Sequence, residues 1–97
     1  MSVTALLELR LKPDLLDVAY AKVDEVLADT RRFAGCQGVD VLVDRDDPAH
    51  LVVHEQWASL AADAAYRAWR AGDGASDLGT VLDGPPVLTV LTTLSHL

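Results

Sequence analysis

Residues 39–57 read VDVLVDRDDPAHLVVHEQW: two β-rich runs separated by a cluster of turn-forming residues. Val39 to Val43 alternates loosely, Asp44-Arg45-Asp46-Asp47-Pro48 forms the turn, and Leu51 to Trp57 is a second strand. Two strands in succession between helical segments exclude a simple alternation of strand and helix. Upstream, Val3, Ala5, Leu7, Leu9 and Leu11 share one face of a first strand, with Glu8, Arg10 and Lys12 on the other. Pro13-Asp14 opens a helix running to about Arg31, whose apolar stripe is Leu16, Tyr20, Val23, Val26, Leu27 and Thr30. Gly35 and Gly38 break that period. Ser59 is an N-cap for a second, Ala-rich helix from Leu60 to about Arg70, and Ala71-Gly72-Asp73-Gly74 ends it. Ala75 to Leu82 is a candidate short helix, Asp83-Gly84-Pro85-Pro86 a stop, and Val87 to Leu94 a last strand.

The resulting order, β-α-β-β-α-β, predicts a single α+β domain over 1–97 of ferredoxin-like type: a four-stranded antiparallel sheet with both helices on one face. The other face, expected to carry Leu6, Val52, Leu88 and Val90, is left bare. A second copy packed against it is the natural cover, so a homodimer is expected.

Composition narrows the partners. Eight Lys and Arg against fifteen Asp and Glu make the chain acidic, at net −7, with no basic stripe. Such a surface repels phosphate backbones and anionic lipid, so neither nucleic acid nor membrane is an expected partner. No apolar run approaches the ~20 residues of a membrane-spanning helix. Cys36 is the only cysteine, and the N-terminus lacks a basic region ahead of an apolar stretch. Both features lead us to expect a cytoplasmic protein. No His, Cys, Asp or Glu grouping has metal-ligand spacing, so no metal site is expected. Cys36, between glycines and without a base nearby in sequence, reads as a buried structural residue. His50 and His96 have no partner visible in the sequence.

Several short stretches together resemble the antibiotic biosynthesis monooxygenase-like domains. They are Phe33-x-Gly35-Cys36-x-Gly38, Asp44-x-Asp46-x-Pro48, Val53-x-Glu55-x-Trp57-x-Ser59, and the aromatic Tyr66 seven residues after Ser59. The resemblance spans Val3 to about Leu94 and implies a dimeric α+β barrel with a pocket in each subunit between sheet and helices. It implies catalysis without cofactor: neither metal nor flavin, with an electron-rich phenol or hydroquinone losing a proton and reducing O2 directly. Three positions depart from the family pattern. Tyr66 stands where His is frequent, and Val53 and Leu9 stand where some catalytic members carry Asn, which argues against haem.

The candidate pocket wall is Leu9, Phe33, Val53, Trp57 and Tyr66, with Tyr66 and Glu55 as candidate catalytic residues. Trp57 ends the third strand on the parity of Val53 and Leu51; it either walls the pocket, its indole N–H free for a ligand oxygen, or caps the core. Regular alternation puts Glu55 on the helix-covered side, where a carboxylate suits a general base. An unpaired buried carboxylate is costly, however, which favours a bulge or twist turning Glu55 outward to a partner such as Arg10. His54 has the opposite parity and belongs to the bare face. Tyr66 and Trp69, three apart, share one side of the second helix. Tyr66 reads equally as a pocket phenol or as part of an apolar stripe, and Trp69 as apolar stripe. Three functions are open: a monooxygenase of a small aromatic or quinol-type compound, a non-catalytic module binding a small apolar metabolite, and an isomerase or decarboxylase on the same scaffold. Two convergent polar groups in the pocket would favour an enzyme over a binding module.

Overall fold

The computed structural model describes residues 2–94, which leaves His96 outside the described residues. Strand β1 (Val3–Arg10) leads through a 3-10 turn at Pro13–Leu15 into helix α1 (Leu16–Arg32). Strands β2 (Cys36–Asp44) and β3 (Asp47–Trp57) follow, then helix α2 (Leu60–Arg70), and last strand β4 (Val87–Thr92). The short helix expected over Ala75–Leu82 is a single 3-10 turn, Leu78–Val81. The four strands form one antiparallel sheet in the order β2-β3-β1-β4, the arrangement expected for a ferredoxin-like domain.

Local chemistry accounts for the junctions. Ser59 caps α2 by accepting a hydrogen bond from the Ala62 N–H. The β2–β3 hairpin is tighter than the sequence suggests. Asp44 pairs with Asp47, and the Asp44 side chain accepts from the Asp46 N–H within the turn. Gly35 adopts φ +89°, and a Cβ there would lie 2.5 Å from the Ala62 Cβ. The chain therefore reverses between α1 and β2 while touching α2, which only glycine allows.

Alternation along β3 is regular over its whole length. Ala49, Leu51, Val53, Glu55 and Trp57 are all buried beneath the helices, and no bulge turns Glu55 outward. The expected outward rotation toward Arg10 is thus corrected, because a partner from α2 removes the cost that made it attractive. The bare face also differs from expectation. Register with β1 puts Leu88 opposite Leu7 and Val90 opposite Ala5, on the helix-facing side. Leu91 and Val87 take the outer side instead, joining Leu6, Val52 and Leu42. Every residue of β4 is exposed, since the helices stop short of that edge. Cys36 is half-exposed rather than buried.

His54 lies on the bare face as its parity requires, 3.3 Å from the Gln56 amide nitrogen. The more connected histidine there is His50, whose two ring nitrogens lie 2.9 Å from Asp44 and 2.8 Å from Glu8. The Asp44 hydrogen bond, seconded by Glu8, raises the His50 pKa above its ordinary 6.5. The same bond lowers the Asp44 pKa. A raised folded-state pKa means that protonated His50 favours the fold. Its contribution is complete below the unfolded value and is lost as pH rises through the folded one. We expect an NMR titration of the His50 ring to give a midpoint above 6.5, moving back toward that value in Asp44→Asn; an unshifted midpoint would contradict this cluster.

Candidate active site

Between β1 and β3 on one side and the two helices on the other lies a cavity of about 140 Å³. Leu7, Leu9 and Val53 form its sheet wall, and Val23, Val26 and Leu27 its α1 wall. Glu55 on β3 and Tyr66, Arg67 and Arg70 on α2 complete the lining, with Ser76 and Leu78 from the loop that follows. Val26, Arg70 and Ser76 also border an outer groove beside Trp69 and Asp73, which places the mouth of the cavity there.

Glu55 is the most unusual of these residues. It is fully buried in the middle of the sheet, where an isolated carboxylate would be strongly destabilising. Its Oε1 accepts from the Arg67 guanidinium at 2.5 Å and from the Trp57 indole N–H at 3.0 Å. Arg67 is itself oriented by Asp63, one turn earlier on α2, whose Oδ1 accepts from the Arg67 Nε at 3.2 Å. The other carboxylate oxygen, Glu55 Oε2, is buried and has no hydrogen-bond partner. One oxygen is therefore fixed by two donors while the second is left for something else.

Tyr66 is 4% exposed and lines the cavity with its ring. Its hydroxyl lies 2.7 Å from Thr30 Oγ1 and accepts from Arg70 Nε at 2.8 Å. Arg70 spends its remaining reach on α1 and the following loop, donating to the Val26 carbonyl, Thr30 Oγ1 and the Gly74 carbonyl. The phenol thus ties α2 to α1 at the cavity's edge.

The expected pocket residues divide. Leu9, Val53, Glu55 and Tyr66 meet in the cavity. Trp57 and Phe33 stand behind it, in an aromatic cluster with Tyr66 and Trp69. The Trp57 and Tyr66 rings are 4.7 Å apart, and Phe33 meets Tyr66 edge-on at 5.3 Å. The Trp57 N–H is not free for a ligand, because Glu55 takes it. Arg67 and Arg70 were not singled out from sequence. The signal for them is helical spacing: Asp63, Tyr66, Arg67 and Arg70 recur at steps of three, one and three, on one side of α2. Among the described residues no group of three or more His, Cys, Asp or Glu is placed to hold a metal ion, and no helix is long and apolar enough to cross a membrane.

With this geometry in view, the class follows: residues 2–78 match the antibiotic biosynthesis monooxygenase family. The chain belongs to that family. Among solved structures it is similar to Rv0793 from Mycobacterium tuberculosis, at 25% identity and a TM-score of 0.81, over 99% of this chain and 98% of that one. It is also similar to a protein described as an antibiotic biosynthesis monooxygenase (21% identity, TM-score 0.80, 96% and 99% coverage). A third likeness is to PA3566 from Pseudomonas aeruginosa (20% identity, TM-score 0.76, 97% and 95% coverage). The last two establish likeness of fold. No match is found among curated proteins.

Because the Tyr66 hydroxyl serves two partners, buried Thr30 and half-buried Arg70, Tyr66→Phe leaves each of them short of one. We expect it to cost about 1–3 kcal/mol in urea denaturation. A variant as stable as the parent would show that this network contributes nothing to holding α1 and α2 together.

Proposed function

We propose that the chain is a cofactor-independent monooxygenase of a small, electron-rich phenol or hydroquinone bound between the sheet and the helices. The observation that carries this reading is the bare oxygen of Glu55. A fixed, desolvated carboxylate with one oxygen free of protein partners, on a residue that borders an apolar cavity, is suited to accept a proton from a ring hydroxyl. Arg67 and Trp57 hold the carboxylate in place, so its position is set before the substrate arrives.

The balance closes without a further reductant. Glu55 takes the hydroxyl proton, and the resulting phenolate gives one electron to O2. The superoxide and ring radical combine to form a C–O bond, and the peroxide recovers the proton. The peroxide O–O bond then breaks with loss of water, leaving one oxygen on the ring. A hydroquinone and O2 become a hydroxyquinone and water, the substrate having supplied every electron. Five polar side chains, Glu55, Tyr66, Arg67, Arg70 and Ser76, line the cavity, which favours catalysis over simple binding. Leu9 and Val53, apolar in the cavity wall, favour the second reading, a module that binds such a molecule without turning it over.

We further propose that the unit is a homodimer joined through the bare sheet face. Leu42, Val87 and Leu91 on that face are 53%, 57% and 43% exposed, large apolar side chains that a second copy would cover. Light scattering at micromolar concentration should report twice the chain mass, and a clean monomer would contradict this assembly. For the chemistry, oxygen uptake with hydroquinone as substrate should fall about 10²–10⁴-fold in Glu55→Gln while circular dichroism is retained. An unchanged rate in that folded variant would remove Glu55 from the mechanism.

A further inference from the structure

Both ring nitrogens of His50 face carboxylates on the bare side of the sheet, so the face left for a second copy is also the face that carries a titrating cluster. We propose that His50 gates the pairing of two copies: they associate tightly while it carries both ring protons and weakly once it has lost one. The inference rests on the homodimer proposed above and goes beyond it in making that assembly depend on pH.

Shape points to a second copy as the occupant of this face. The described residues span 40 × 36 × 19 Å, a slab with helices on one side of the sheet only. A face that broad can supply the ~800 Å² per partner that a standard interface buries. Two slabs stacked sheet to sheet make a body of nearly equal dimensions, with the apolar side chains of both inside. Leu6, Leu42 and Val52 line a shallow apolar depression on this face together with His50 and Asp44. The cluster therefore lies within the area that a second copy would cover.

Protonated His50 donates from Nδ1 to Asp44 at 2.9 Å and from Nε2 to Glu8 at 2.8 Å, tying β3 to both neighbouring strands. A neutral imidazole has one ring proton, which leaves one carboxylate facing a bare nitrogen, acceptor against acceptor. The charge of the whole face moves with that proton. Strand β1 brings Glu8 and Arg10, β2 brings Asp40 and Asp44, and β3 brings Asp47, His50 and His54. The hairpin turn adds Arg45 and Asp46, of opposite sign. Strand β4 presents Val87, Thr89 and Leu91 to this side and adds no charge. Arg10 is already shared between Glu8 and Asp47. On the strands, Arg10 and protonated His50 stand against the carboxylates of Glu8, Asp40, Asp44 and Asp47; after the proton leaves, Arg10 stands alone. A two-fold interface doubles this excess of negative charge and removes it from water, where like charges repel more strongly. Asp44, and after it Glu8, raises the His50 pKa, so the protonated form persists above the ordinary histidine range. Association that favours this form is complete at lower pH and is lost as pH rises through that value.

The test is sedimentation equilibrium of the full chain at about pH 6 and about pH 9 at constant ionic strength. Each subunit gives up one proton, so the dimer dissociation constant should rise at least about tenfold between the two. His50→Gln, which has no proton to lose, should show the weaker constant at both pH values. His54→Gln, on the same face, should behave as the parent. Glu8→Gln removes one carboxylate from the excess and should keep the tight constant at the higher pH; it carries the test should His50→Gln fail to fold. A dimer with one constant at both pH values overturns the inference and leaves the homodimer standing. A pH dependence that survives in His50→Gln or disappears in His54→Gln overturns the assignment to His50. A monomer at both pH values overturns the homodimer and this inference with it.

Discussion

A carboxylate at the centre of a sheet, covered by two helices and out of reach of water, would cost several kcal/mol if left alone. Glu55 occupies that position, and much of the surrounding structure answers to it. Arg67 reaches down from α2 to pair with it, Asp63 holds Arg67, and Trp57 donates its indole proton to the same oxygen. Placing Arg67 requires α2 to start where it does, directly after β3. Ser59 secures that start by capping the helix two residues after Trp57. The same helix carries Tyr66 and Arg70 toward α1, where Thr30 and the Val26 carbonyl receive them. A single buried ion pair thereby links the middle of the sheet to both helices. Such pairs seldom add net stability over apolar packing. In the function proposed above, the pair fixes one carboxylate oxygen and leaves the other for a ligand.

The arrangement separates two tasks by sheet face. On the helix side, alternating residues of β1 and β3 supply apolar walls with one carboxylate among them. On the bare side the same strands carry Leu6 and Val52 beside the Glu8, His50 and Asp44 cluster. The period of two in a strand allows this division, because adjacent residues such as His54 and Glu55 serve opposite faces. The bare side is the one proposed to meet a second copy. On the helix side, Leu9, Val53 and Glu55 of the two central strands meet Tyr66, Arg67 and Arg70 of α2 around the cavity.

Much of the fold is legible in the sequence because strong local signals agree. Pro13, Ser59 and the Gly-rich breaks mark the helix ends, and the one-sided apolar pattern of Val3–Leu11 and the β-rich run Leu51–Trp57 define the two central strands. The weaker points are those where non-local partners decide. Glu55 was expected to turn outward because its burial cost was visible and Arg67, twelve residues on, was not assigned to it. Alternation was the sounder guide. Of the two readings open for Trp57, the core one holds, and its N–H is taken by Glu55. Leu88 and Val90 were placed on the wrong face because strand register depends on pairing with β1, which the composition of Val87–Leu94 does not encode. Phe33 is not among the residues that line the cavity and instead packs edge-on against Trp57 and Tyr66.

We propose that Glu55 Oε2 is left without a protein partner so that it can accept a hydrogen bond from a ring hydroxyl. A crystal structure of the protein soaked with phenol tests it directly. The account predicts one ring in the cavity between β1, β3 and α1, its oxygen about 2.5–2.7 Å from Glu55 Oε2, with Oε1 still held by Arg67 and Trp57. An empty cavity, or a ring bound with its hydroxyl turned away from Glu55, would contradict it.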